Sequence, residues 1–241
     1  MVMSLYSEPD YEVPHPSVDI TVLLVVEEAI RAAWQILREQ PPANFDIKTA
    51  LEETINHHLR ETLQDRVWRR EVVPGFDASL IACITSAEEV RNHNGKELKK
   101  RPDMIVELVG IPENARPSQY GIFVECKPIG PDHKLTSCYC KKGIIRFITG
   151  RYAWAMQDAV MVGYVQGELG QTELNVALNA CSRIVLPTGS AAPCAESVKT
   201  EKVPTLVTKH RRRFKYLETN NPAPVILLRH IWLSRNGYDF R

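Results

Sequence analysis

Arg101-Pro102-Asp103-Met104-Ile105-Val106-Glu107 and, after a polar proline-containing loop, Ile122-Phe123-Val124-Glu125-Cys126-Lys127 are the stretches whose reading decides the fold. Both are short apolar runs with acidic residues at their margins, and they read as strands over residues 103–109 and 120–127. Strand side chains alternate between faces, so Glu125 and Lys127 point one way while Val124 and Cys126 point the other. Two steps along a strand cover about 7 Å, so a carboxylate and an ammonium so spaced reach one shared ligand. Asp103 opens the preceding strand. If the two strands are neighbours, Asp103 and Glu125 converge on one cation, and hard oxygen ligands of this kind suit Mg2+ or Mn2+. Phosphodiester cleavage uses such an ion to polarise the phosphoryl oxygen and acidify a bound water. A lysine beside it orients the attacking water and favours its hydroxide form.

Upstream of these strands, apolar residues at three-to-four spacing predict two helices. The first covers residues 18–40, with Leu23, Val26, Ile30, Ala33, Trp34 and Leu37 on its stripe, and ends at Pro41-Pro42. The second covers residues 47–69, with Asp46 as N-cap and Leu51, Ile55, Leu59, Leu63 and Val67 as its stripe. A strand is expected over 79–85, and Asn94-Gly95 is a tight-turn signal. Downstream, residues 142–156 read as a helix interrupted near Gly150, 159–165 as a buried strand and 168–182 as a helix. Residues 187–204 form a loop, and 205–216 with 225–234 form a final strand pair. Residues 1–17 read as a mobile or draped arm.

Pro102-Asp103 followed by Glu125-Cys126-Lys127, in the order helix, three strands, helix, strand, resembles the PD-(D/E)XK or restriction-endonuclease-like nuclease superfamily. The resemblance covers residues 47–166, with residues 1–46 an N-terminal arm and helix and 167–241 a C-terminal extension packed on the core. It implies an α/β fold with an αβββαβ core, a mixed central sheet flanked by helices, and N-terminal helix and C-terminal strand and helix additions. It implies Asp103, Glu125 and the backbone carbonyl of Cys126 as metal ligands, with Lys127 as the catalytic lysine. The family often adds a glutamate on its first core helix. Glu52 and Glu53 are the candidates; Glu52 is preferred because it borders the buried stripe, whereas Glu53 is rotated about 100° away. Glu107 lies on the Asp103 face and is either an extra ligand or an ordinary salt-bridged residue. The helix after the motif carries Lys141, Lys142, Arg146 and Arg151; Lys142, Arg146 and Arg151 are the expected nucleic-acid contacts. Tyr152, Trp154 and Met156 read as core. His210 and the arginines after it read either as phosphate contacts or as a charged surface strand or turn.

The expected activity is a metal-dependent endonuclease hydrolysing DNA, double-stranded by preference, of restriction or phage-defence type. The alternatives are an RNase or structure-specific nuclease, and a non-catalytic subunit. With 30 basic and 29 acidic side chains the net charge is +1. A protein that holds nucleic acid alone normally carries a basic excess. The basic residues are instead local: Lys99-Lys100-Arg101, Lys141-Lys142 and Lys209-His210-Arg211-Arg212-Arg213. A partner subunit or a homodimer is therefore expected to help hold DNA. No apolar run reaches the roughly 18 residues of a membrane span. The N-terminus lacks a signal-peptide pattern, so a cytoplasmic location with reduced thiols is the expectation. The six cysteines include no CxxC pair, and Cys138-Tyr139-Cys140 with His133 is poorly spaced for zinc or iron–sulfur.

Overall fold

The computed structural model describes residues 11–86, 92–94, 96, 102–181, 184, 192–193, 205–217 and 219–236. The fold is α/β, built on one mixed seven-stranded sheet in the order β1-β2-β3-β4-β7-β6-β5. The strands are β1 Ile81–Thr85, β2 Met104–Leu108, β3 Ile122–Ile129, β4 Asp158–Val165, β5 Ala192–Pro193, β6 Leu206–His210 and β7 Ile226–Ser234. β1, β2 and β3 form an antiparallel meander. β4 then lies parallel to β3, and β7 parallel to β4. β3 and β4 are buried along their whole length, which explains their near-continuous apolar character.

The 225–234 expectation is met by β7, but β7 also pairs with β4, so the C-terminal region completes the same sheet rather than lying against it. The 187–204 loop and the Asn94-Gly95 turn fall largely outside the described residues, as do residues 1–10 of the arm.

Helix α1, Ile20–Glu39, buries the expected stripe, and Asp19 caps it by accepting from the Thr21 amide at 2.8 Å. Helix α2, Glu52–Thr62, buries Ile55 and Leu59, then continues as a π-helical turn, Leu63–Trp68, that buries Leu63 and Val67. It starts five residues later than expected. The Asp46 side chain accepts from the Lys48 amide at 3.0 Å and the Thr49 hydroxyl at 2.9 Å, which holds 46–49 in a turn. Arg235, just after β7, donates to the carbonyls of Ile47, Lys48 and Ala50, each at 2.8 Å, and so pins that turn.

Between β3 and β4 the chain forms a π-helical segment, Leu135–Ile144, continued by a single α-turn, α3, Ile145–Ile148. The expected helix over 142–156 is thus displaced. It begins earlier, and it stops because Gly150 and then Ala153 adopt left-handed backbone (φ 66° and 50°) that a right-handed helix cannot contain. A short helix α4, Gln171–Asn179, follows β4.

The sheet is covered on both faces. On β4, Tyr164 faces α1 and α2: its ring stacks on Trp34 at 5.4 Å and its hydroxyl donates to Asn56 at 2.7 Å. One position away, Met161 and Gly163 face the opposite layer. A Cβ at Gly143 would lie 2.7 Å from Met161 Cε and 3.4 Å from Lys127 Cγ, so glycine lets the π-helical segment rest against the Lys127 stem. No helix among the described residues is long and apolar enough to cross a membrane.

Candidate active site

Met104 pairs with Val124 across the antiparallel ladder, which sets Asp103 beside Glu125 at the end of β2. Strand alternation places Glu125 and Lys127 on one face of β3, and their side chains meet, Lys127 Nζ lying 2.8 Å from Glu125 Oε1. The same ammonium lies 2.5 Å from Glu52 Oε1, 2.6 Å from the Cys126 carbonyl and 3.6 Å from Asp103 Oδ2. Four residues on three elements therefore turn one oxygen each toward a single cationic position. Asp103 is also held from below, its Oδ2 accepting the Cys126 amide at 2.7 Å.

Of the two adjacent glutamates, Glu52 is the one whose carboxylate joins the cluster, while Glu53 is exposed. Arg146 reaches the site as well: its Nη1 lies 2.8 Å from Glu125 Oε1. Lys141, Lys142 and Arg151 do not. All three are exposed, because the π-helical winding and the break at Gly150 turn them outward. Glu107 takes a different neighbour, accepting from Thr85 at 3.3 Å on β1, so it is no additional member. His210 and Arg212 are buried rather than offered to phosphate. The Arg212 guanidinium is committed to the carbonyls of Ala153, Trp154 and Met156. Lys99-Lys100-Arg101 lies outside the described residues.

Tyr152 is the residue that reading the sequence assigned to the core alone. It is buried, yet its hydroxyl donates to Glu125 Oε2 and receives Arg146 Nη1 at 3.4 Å. Nothing at its own position signals this; the left-handed turn at Gly150 brings it back over β3. A cavity of about 710 Å3 opens beside Glu52, lined among others by Lys48, Leu51, Pro128, His133 and Arg235; of the cluster, Glu52 alone lines it. Of the cysteines proposed for weighing as ligands, Cys138 is half-buried, with its sulfur 3.9 Å from His133 Nδ1. Cys140 is buried, and desolvation followed by the nearby Cys181 pushes its thiol up to about 12.

The electrostatics are those of crowded acids. Burial, then the neighbouring Asp103, pushes Glu125 up to about 7 against the opposing pull of Lys127 and Arg146. Burial works to depress Lys127, but Glu125, Asp103 and Glu52 outweigh it and hold the ammonium above its ordinary value. Arg146 is raised likewise, with burial opposed by Tyr152 and Glu125.

The residues fit a divalent cation. The donors are all hard oxygens. Three carboxyl groups face two cationic side chains, so ionising Glu125 leaves one negative charge in excess. Glu125 Oε1 is fully buried and has ion-pair contacts but no aligned hydrogen bond. Asp103, Glu125 and the Cys126 carbonyl are the residues that would hold such an ion. No family model, no curated protein and no solved structure matches the chain.

Proposed function

We propose that this chain is a metal-dependent nuclease with a PD-(D/E)XK-type core, hydrolysing DNA phosphodiester bonds with Mg2+, or Mn2+ in its place. The observation that carries the reading is the convergence of Glu52, Asp103, Glu125 and the Cys126 carbonyl around the Lys127 ammonium. The order of elements supports it: α2, the β1–β3 meander, a helical crossover and the parallel strand β4 follow the αβββαβ sequence.

The bound ion supplies the polarisation of the phosphoryl oxygen and the acidification of a water. The chain's own residues do the rest. Asp103 is aimed by the Cys126 amide. Glu125 is oriented by the Tyr152 hydroxyl and by Arg146, and Arg146 also donates to that hydroxyl, which closes a three-membered set of contacts. Lys127 holds its proton firmly, so it acts as a fixed positive charge that aligns the attacking water and steadies charge on the phosphate. Glu52 anchors that ammonium from the α2 side. The nearly balanced net charge, +1, suits a nuclease held on DNA by a second copy or a partner subunit.

The test is cleavage of plasmid, linear duplex DNA, single-stranded DNA and RNA with Mg2+ or Mn2+. Lys127→Ala and Asp103→Ala serve as controls. The expected result is metal-dependent cutting of DNA that disappears in both variants; activity surviving both sinks the site. Preferential cutting of RNA moves the substrate assignment and leaves the site standing.

A further inference from the structure

Helix α2 carries a second constellation on the side turned away from Glu52. At about 100° per residue, His57, Glu61 and His58 lie about 140°, 180° and 240° round the axis from Glu52. His57 Nε2 is 3.2 Å and His58 Nδ1 3.5 Å from the same oxygen, Glu61 Oε2, and the three atoms all lie within 4.8 Å of one another. In a tetrahedral zinc site with bonds of about 2.0–2.1 Å, neighbouring ligand atoms stand about 3.3–3.4 Å apart. The two measured separations bracket that value.

We infer that His57, His58 and Glu61 form a zinc(II) site separate from the carboxylate cluster. Two imidazoles and one carboxylate are a donor set that zinc favours and magnesium does not. The ligands spring from one continuous helix, so little backbone order is lost on binding. Phe45 meets the His58 ring edge-on at 4.7 Å and holds its orientation. His57 and Glu61 are each about half exposed, 50% and 51%, which gives the ion entry and leaves its fourth position to water. One contact works against the site: Arg60 Nη2 lies 3.4 Å from His57 Nδ1, which favours the proton on Nε2. That contact is long and exposed, and the ion displaces both it and the Nε2 proton.

The experiment is calorimetric titration of the full chain with Zn2+ in a large excess of Mg2+, with Co2+ absorption as a spectroscopic reading of the ligand geometry. One Zn2+ per chain is expected, with the visible bands of tetrahedral Co2+. His57→Ala and His58→Ala each weaken binding at least about tenfold. Asp103→Ala leaves it unchanged. Far-UV circular dichroism confirms that these exposed substitutions keep the fold. Absence of Zn2+ binding, or binding indifferent to His57→Ala, overturns the inference, as does binding lost in Asp103→Ala. Because the readout is binding rather than cleavage, the result is independent of the nuclease reading.

Discussion

Two ion clusters among the described residues are built on opposite principles. Between α1 and β7, Glu27 and Arg229 are almost fully buried and pair directly; Thr205 satisfies the second Glu27 oxygen at 2.5 Å. Each Glu27 oxygen has a partner there, and Arg229 also acts on the buried Asp158 carboxyl. Midway along β3, by contrast, the cationic side chains that Glu52, Asp103 and Glu125 face among the described residues are Lys127 and Arg146, and Glu52 lines a neighbouring cavity. A balanced pair is accounted for by the need to neutralise buried charge. A carboxyl that burial, and then the adjacent Asp103, pushes up to about 7 is not, since an apolar or amide replacement would relieve it. The proposed metal-binding reading accounts for such crowding, because a bound cation would complete the balance.

The largest expected effect comes from breaking the open cluster. Lys127→Ala should lower the cleavage rate on the order of 10^3-fold, as measured by single-turnover kinetics, and should also destabilise the fold, because it leaves Glu52, Asp103 and Glu125 facing Arg146 without the ammonium. Breaking the closed cluster should touch stability alone. Glu27→Ala removes the carboxylate that pairs directly with buried Arg229 and should cost about 3 kcal/mol of unfolding free energy, with any cleavage rate per folded molecule unchanged. A third polar set sharpens the contrast because it is kept neutral. His230 bonds Tyr139 Oη at 2.8 Å and Thr208 Oγ1 at 2.7 Å, and Thr208 bonds His210 at 2.7 Å. Burial holds His210 down at about 4 against an ordinary 6.5. Between those values only the unfolded chain binds the proton, so stability falls as pH drops from 6.5 toward 4. For His210 alone the loss approaches about 3 kcal/mol, and His230 adds to it in the same direction. Unfolding midpoints across that pH range check this.

A smaller effect is expected at Tyr152. Tyr152→Phe removes the hydroxyl that orients Glu125 and should slow cleavage about tenfold, with the metal concentration needed for half-maximal rate rising as well. The smallest effects belong to Lys142→Ala and Arg151→Ala. Both side chains are exposed away from the cluster, and rates should change by less than about twofold.

The core of this site was legible in the sequence because strand alternation is a local rule. Glu125 and Lys127 share a face whatever surrounds them, and Pro102-Asp103 opens the neighbouring strand. α1, β1 to β4 and the β6–β7 pair were legible for the same reason, through apolar periodicity. What escaped depends on distant partners. The α2 start moved because Arg235, far along the chain, holds the carbonyls of 47, 48 and 50. The 142–156 helix failed because π-helical winding has no 3.6-residue stripe to read, and because Ala153 adopts a left-handed conformation that alanine rarely signals. That same break brought Tyr152 onto Glu125. β7 pairing with β4 rather than standing as an appended hairpin is likewise a matter of long-range register.

The measurement that bears most directly on the central claim is Glu125→Gln, assayed on one preparation for Mg2+-dependent cleavage and for unfolding free energy. The substitution brings the open cluster to two acids against two bases. Loss of cleavage with stability unchanged or increased is the predicted result. Retained cleavage, or a destabilisation as large as that of Glu27→Ala, would contradict the account.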